Sequence, residues 1–154
     1  VQVAEREALS PTELVDRLEQ VAPKTVKGRS RTPRPMRAMK IAIDAPVVEK
    51  WPLGYLIDII YLRDAWMHRV DTAGATGREL VLTPEHDGRI VADVVAEWAR
   101  RHGQPFTLEL TGPAGGTFTA GNGGEPTVID AVDFCSLLAG RGEPTGLFTT
   151  IVPF

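Results

Sequence analysis

The chain has 154 residues, of which 43% are hydrophobic and 24% are charged, and its net charge is −3. This composition is typical of a globular protein of one or two small domains and excludes a long disordered chain. The sequence has neither an apolar run long enough for a membrane span nor a signal-peptide pattern, so we expect no membrane partner and a cytoplasmic location. Its single cysteine, Cys135, excludes an intramolecular disulfide and fits a reducing compartment.

The first predicted element is a helix that opens at a capping box. Ser10 and Glu13 have the capping-box spacing, with a proline at the first helical position between them. Pro23 is expected to close this helix after Val21. Helical spacing predicts that one stripe of the helix is buried in a core, namely Leu14, Val15, Leu18 and Val21.

The next segment, residues 24–40, is strongly basic. It holds seven of the 17 basic residues and no acidic one. Such a run suits either a nucleic-acid contact or a solvated, anion-facing loop. Because the run contains no aromatic residue and the rest of the chain is acidic, we favour an extended loop and expect no nucleic-acid partner. Residues 36–43 predict a short further helix that ends before Pro46.

The longest periodic run, residues 53–71, predicts a helix that begins near Trp51 and ends near Gly77. At 100° per residue its first apolar face continues into three ionisable residues, Asp64, His68 and Asp71. A second apolar face on the same helix predicts packing on two sides. We therefore expect the side chains of Asp64 and His68 to point into a bundle with their tips together.

A carboxylate and an imidazole buried in this way need partners, because an unpaired buried charge is very costly. The two side chains pair with each other, pair with other polar groups, or bind a divalent metal from one helix face. Asp71, one turn further on, either orients the imidazole of His68 or forms an ion pair with Arg69 or another helix.

The second half of the chain predicts a helix from about residue 83 to His102, with Gly103 as its stop. Its buried stripe is expected to comprise Ile90, Val91, Val94, Val95 and Trp98. At its end, His102 is expected to be a cation that complements the helix dipole. In its first turn, His86 is either simply exposed or close to a ligand.

Three alternating runs, residues 106–111, 117–120 and 126–129, predict a small antiparallel sheet. The glycine-rich segments between them, 112–116 and 121–124, lack the lysine and the strand-then-helix context of a phosphate loop, so both are interpreted as hairpin turns. A helix over residues 130–139 follows. Its Cys135 has no activating neighbour in the pattern, which favours a buried structural thiol.

Residues 63–78, RDAWMHRVDTAGATGR, resemble the metal-binding helix of the mycothiol-dependent maleylpyruvate isomerase family. In that family a carboxylate and a histidine four residues later are two of three metal ligands. Asp64 and His68 match these positions, with Asp where the isomerase has Glu. The family's third ligand is a histidine on an earlier helix, and no histidine precedes His68 in this sequence. The resemblance thus implies that a helical segment precedes Val1 in the encoded protein.

A second stretch, LLAGR at residues 137–141, is similar to the end of the last helix in that family. An arginine implicated in the family's activity matches Arg141. Its planar guanidinium suits a substrate carboxylate. The alternative is a cation that only complements the end of its own helix.

The resemblance implies an α+β protein. Residues 1–80 would form a partial DinB-like helical bundle, and residues 81–154 a small α+β domain with a short antiparallel sheet. The function implied is a mycothiol-dependent, metal-assisted isomerase or thiol transferase acting on a small carboxylate-bearing electrophile. Zinc is the expected metal, and a small-molecule thiol is the expected partner. The alternative is a non-catalytic small-molecule-binding or regulatory protein that retains the fold without the metal.

Overall fold

The computed structural model describes residues 6–44 and 48–154. Its architecture is α+β, as the sequence predicted. The elements in chain order are α1 (Pro11–Ser30), α2 (Arg34–Ala38), β1 (Lys40–Ile43), β2 (Glu49–Pro52), α3 (Leu53–Tyr55), a π-helical turn (Leu56–Ile60), α4 (Tyr61–Thr76), α5 (Asp87–His102), β3 (Phe106–Thr111), β4 (Gly116–Ala120), β5 (Thr127–Asp130), α6 (Ala131–Leu138) and a 3-10 turn (Gly146–Thr149). In the part of the chain described, no helix has the length and apolarity needed to cross a membrane.

The helix α1 begins at the predicted capping box. The Ser10 backbone N–H donates to the Glu13 carboxylate at 2.8 Å, and the Glu13 N–H donates to the Ser10 hydroxyl at 3.3 Å. The prediction that Pro23 closes the helix is wrong, as is the extended loop after it, because α1 continues to Ser30. Pro23 lacks the N–H that would bond to the carbonyl of Glu19. Water can satisfy that carbonyl because the helix is exposed there.

The apolar stripe of α1 is also not buried as predicted. Its four residues, Leu14, Val15, Leu18 and Val21, are 39–67% exposed. No residue of α1 is buried, since no described element covers this side of the helix. The stripe therefore contributes no core in the described part of the chain.

Only the first three residues of the helix predicted over residues 36–43 are helical. The short α2 ends at Ala38, and β1 then pairs antiparallel with β2, Ile41 opposite Trp51. Branched residues at Ile41 and Ile43 favour the strand over another helical turn. Pro46, where the helix was expected to end, lies outside the described residues.

The central helix, residues 53–76, combines α3, the π-helical turn and α4. It ends at Gly77, which adopts the left-handed conformation (φ 64°) that glycine reaches at no steric cost. Gly103 ends α5 in the same way (φ 64°), so both predicted helix stops are confirmed.

The sheet of β3, β4 and β5 differs from the prediction in one strand. Its order is β4-β3-β5, and β4 is antiparallel to β3 as expected. The strand β5 instead pairs parallel to β3, Leu110 opposite Ile129. Residues 112–116 thus make the predicted hairpin, whereas residues 121–124 lead the chain past β3 to its other edge.

The main core joins α4 to the second half of the chain. Trp66 and Met67 of α4 belong to the same buried cluster as Trp98 of α5, Leu108 of β3 and Phe134 of α6. The predicted stripe of α5 is buried in this cluster. The core therefore crosses the expected boundary at residue 80, and the division into two domains stays a prediction.

Candidate functional site

Asp64 and His68 lie side by side on an open face of α4. Their closest atoms, Asp64 Oδ1 and His68 Nε2, are 3.5 Å apart, as expected for partners four residues apart on a helix. The expectation that they point into a packed bundle is wrong, because the side chains are 53% and 69% exposed, respectively. Burial depends on what packs against a helix, and residues 139–141 and 151–154 adjoin Asp64 without covering it.

The buried side of α4 carries a different charge. Arg63 is only 1% exposed, and its guanidinium donates to the Asp93 carboxylate at 2.6 Å and to the Pro153 carbonyl at 3.0 Å. It also contacts the Glu97 carboxylate at 2.8 Å. Buried charges are tolerated when they are paired and hydrogen-bonded in this way.

Sequence reasoning missed this network, although one signal was available. Glu97 is only 4% exposed and lies between Val94 and Trp98 on the predicted buried stripe of α5. A carboxylate in that position required a buried cation, and the long periodic helix upstream offered Arg63. Tyr55 and Arg101 also hydrogen-bond Glu97, at 2.7 and 2.9 Å.

The network shifts the protonation equilibria of its members. Burial alone would raise the pKa of Glu97, but the hydrogen bond from Tyr55 and the positive charge of Arg63 outweigh burial and lower it. Burial and the neighbouring Glu97 raise the pKa of Tyr55 to about 12. The carboxylate therefore stays ionised and the phenol neutral near pH 7.

Arg141 contacts the central helix from the second half of the chain. Its Nε and Nη2 donate to the two carboxylate oxygens of Asp71 at 3.1 and 2.8 Å. Of the roles considered for Asp71, the structure thus supports an ion pair with another part of the chain. Both side chains are about 40% exposed. The Nη1 group makes no hydrogen bond to a described residue, and one edge of the guanidinium remains available.

Two cavities adjoin the Asp64–His68 pair. The smaller, of about 170 Å³, is bounded by Asp64, Arg141 and apolar residues near Phe154. The larger is an open groove of about 480 Å³ between α4 and residues 78–81, and His68 lies in its wall. Since the two tips are 3.5 Å apart, the pair stands between the two cavities.

No third ligand joins Asp64 and His68 within residues 6–44 and 48–154, where no group of three or more His, Cys, Asp or Glu side chains could hold a metal ion. His86 is exposed, but it lines another cavity, together with Arg63 and Arg89. It therefore does not complete the site.

Two other titratable residues lie in the core region away from this site. Cys135 is fully buried, and burial raises the pKa of its thiol to about 12, in agreement with a structural role. His102 was expected to be a cation, but burial lowers its pKa. Its Nδ1 accepts a hydrogen bond from the Gln104 N–H at 2.9 Å, which requires that nitrogen to be unprotonated.

Searches of protein-family models, of curated proteins and of solved structures found no match to this chain.

Proposed function

We propose that the protein is a metal-assisted, mycothiol-dependent isomerase or thiol transferase that acts on a small carboxylate-bearing electrophile. The observation that carries this proposal is the 3.5 Å separation of Asp64 Oδ1 and His68 Nε2. Two protein ligands at 2.0–2.1 Å from a tetrahedral zinc ion stand roughly 3.3–3.4 Å apart. The distance between these two atoms is therefore compatible with binding to one ion.

Asp64 and His68 would hold the metal, with zinc as the first candidate. Catalytic zinc sites use three protein ligands and leave one position open. We propose that the third ligand comes from a segment upstream of the described residues, as the family resemblance implies. A metal bound there would lower the pKa of a coordinated thiol and so raise the fraction of reactive thiolate.

Arg141 would bind the substrate carboxylate. Asp71 occupies the Nε and Nη2 edge of the guanidinium. Nη1 makes no hydrogen bond to a described residue, so it would be the group that binds the ligand. The adjacent cavity of about 170 Å³ suits a molecule of only a few carbon atoms. A charge-assisted hydrogen bond from a positioned arginine would then orient the electrophile beside Asp64.

The thiol would supply the nucleophile. Its sulfur would form a bond to an alkene carbon of the electrophile while the alkene electron pair moves onto a conjugated carbonyl oxygen. This S–C bond would break when the alkene re-forms in the other geometry. No external oxidant or reductant is needed. The protein itself would orient the two reactants and stabilise their negative charges, with His68 and Asp64 on the side of the thiol and Arg141 on the side of the substrate carboxylate.

Turnover and metal content of the full-length protein test this proposal. We expect one equivalent of divalent metal, and mycothiol-dependent turnover of maleylpyruvate as the first carboxylate-bearing electrophile to try. His68→Ala should remove both. Arg141→Lys should impair turnover but retain the metal, because lysine keeps the charge and loses the planar fork. Unchanged kinetics in Arg141→Lys would contradict the role of that residue.

A non-catalytic binding or regulatory role is the second candidate. It is favoured by the exposure of Asp64 and His68 and by the presence of only two ligands among the described residues. In that case the full-length protein would bind ligands in its cavities but no stoichiometric metal. Metal analysis alone therefore separates the two functions.

A further inference from the structure

The apolar stripe of α1 is exposed along its whole length. Its four side chains, from Leu14 to Val21, are 39–67% exposed, and no residue of this 20-residue helix is buried. Most of the stability of a helix in a protein comes from packing of its apolar face. Pro23 and Gly28 lie inside α1 and weaken it further, because both are poor helix formers. A partner that covers the stripe would supply the packing that α1 lacks.

The apolar residues of α1 have the spacing of a helix-pairing seam. The seam consists of Leu14, Leu18, Val21 and Thr25, which follow one another at steps of four, three and four residues. This spacing is that of the inner positions of a coiled coil, where side chains of one helix insert between those of the other. The spacing therefore favours another helix as the partner.

The charges beside this seam have one sign. At the flanking positions of the repeat, four residues of α1 and its C-terminal cap are charged and all are basic: Arg17, Lys24, Arg29 and Arg31. Lys24 and Arg31 form no ion pair with a described residue, whereas Arg29 lies over the ring of Tyr61. The acidic residues of the helix lie farther from the seam, namely Glu13, Asp16 and Glu19. A partner helix would therefore meet an apolar seam with positive edges.

These positive edges disfavour a second copy of α1 as the partner. In an antiparallel pair, equivalent flanking positions meet, so Lys24 would face Arg17 or Arg31. In a parallel pair, Lys24 would face Arg29. Both arrangements place like charges together, which lowers stability. The complementary partner is a helix whose flanking positions are acidic.

An anionic membrane surface would also attract basic residues beside an apolar stripe. Helices that lie in such a surface carry Trp, Phe or Leu on the apolar face. The stripe of α1 has no aromatic residue, and two of its four side chains are the shorter valine. A cavity of about 460 Å³ lined by Leu14, Leu18 and Val21 can take the side chains of a helix. These observations favour a protein helix over a lipid surface.

We propose that α1 docks an acidic amphipathic helix of another protein. The apolar face of that helix would cover the seam, and its carboxylates would pair with Arg17, Lys24 and Arg31. This interaction surface uses neither the candidate metal ligands nor Arg141. The inference therefore goes beyond the proposed function and does not depend on it.

Two designed peptides test this docking surface on the full-length protein. Both carry leucine at the inner positions of a seven-residue repeat. The acidic probe has glutamate at the flanking positions, and the basic probe has lysine there. Each peptide is labelled with fluorescein, and its binding is measured by fluorescence polarisation. We expect the acidic probe to bind about tenfold more tightly than the basic probe, and this difference to shrink at 1 M salt.

Charge reversal tests whether the acidic probe binds along the seam. Lys24→Glu should weaken binding of the acidic probe about fivefold and strengthen that of the basic probe, because an attraction becomes a repulsion. The matched control is Lys27→Glu, which makes the same change in net charge on the side of α1 away from the seam. This control should bind both probes like the wild type.

A second pair of variants tests the apolar contact. Leu18→Ser should weaken binding of the acidic probe about tenfold, because it removes an apolar side chain from the middle of the seam. Val26→Ser is its control. Val26 is 66% exposed, against 67% for Leu18, but it lies outside the seam. Circular dichroism checks that both variants keep the helix content of the wild type.

The proposal would be overturned by equal affinity for the two probes, by the absence of binding, or by full affinity in both Lys24→Glu and Leu18→Ser. Two further results would assign the stripe to another occupant. A wild-type dimer in analytical ultracentrifugation that Leu18→Ser dissociates would assign it to a second copy of this chain. Binding to vesicles of phosphatidylserine and phosphatidylcholine that Leu18→Ser abolishes would assign it to a lipid surface.

Discussion

Charged side chains on the two sides of α4 differ in burial and in pairing. On the covered side, Arg63 is almost inaccessible and is neutralised by Asp93 and Glu97. On the open side, Asp64 and His68 are more than half exposed and are not hydrogen-bonded to each other. A charge in a core must have a fixed partner, whereas an exposed pair can exchange water for a ligand at little cost. The helix α4 is therefore anchored by one side and available to a ligand on the other.

The largest change in stability should come from replacing Arg63, which anchors the covered side of α4. We expect Arg63→Met to lower the free energy of unfolding by about 3–5 kcal/mol, because it leaves Glu97 buried with fewer partners. Urea denaturation monitored by tryptophan fluorescence measures this. Arg100→Met, an exposed arginine of α5, is the control and should change stability by less than about 0.5 kcal/mol. A loss below about 1 kcal/mol for Arg63→Met would show that the covered side is not an anchor.

The pH dependence should isolate the contribution of Glu97. Its pKa is lowered in the folded protein, so its stabilising effect is complete above the unfolded value of about 4.3 and is lost as pH falls through the lower folded value. Unfolding of wild type and Glu97→Gln should be compared from pH 7 to pH 3. We expect the variant to be less stable at pH 7 and the two to converge in acid. Parallel curves would contradict this assignment.

A smaller effect on stability is expected from the ion pair that joins α4 to the second half of the chain at the surface. The Asp71–Arg141 pair is bidentate but about 40% exposed. A double-mutant cycle with Asp71→Ala and Arg141→Ala should give a coupling energy of about 0.2–1 kcal/mol. The coupling should shrink at 1 M salt because screening weakens exposed pairs. A salt-independent coupling would mean that the pair is desolvated.

The smallest effect on stability should come from the open side. His68→Ala and Asp64→Ala should change the free energy of unfolding by less than about 0.5 kcal/mol without metal. With the metal bound, the wild type should gain stability and the two variants should not. The measurement is thermal unfolding of the full-length protein with and without zinc. Stabilisation of His68→Ala by zinc would place the metal elsewhere.

Local patterns predicted the second half of the chain well. The stripe of α5, the β3–β4 hairpin and the helix α6 follow from periodicity and turn residues that act over a few positions. The parallel pairing of β5 did not follow, because the sequence specifies a strand without specifying which neighbour it joins. The hairpin interpretation assumed that successive strands pair, and residues 121–124 carry the chain past β3 instead.

Burial was the least predictable property of the helices. The stripe of α1 and the ionisable face of α4 have the same spacing as buried faces, but both are exposed to solvent. Periodicity shows which residues share a side, and only the tertiary structure shows which side is covered. For the candidate site, the sequence therefore predicted that Asp64 and His68 meet, but not that they are exposed or that Arg141 binds Asp71.

The hydrogen bond from Arg63 to the Pro153 carbonyl has a consequence for synthesis of the protein. The two residues are 90 positions apart, and Val152 and Pro153 are both buried. On the ribosome, Arg63 emerges long before the segment that receives one of its hydrogen bonds. A contact of such high sequence separation forms late and slows folding. We therefore expect nascent chains that stop short of residue 151 to expose α4 to proteases, and its protection to appear only when residues 151–154 have left the ribosome.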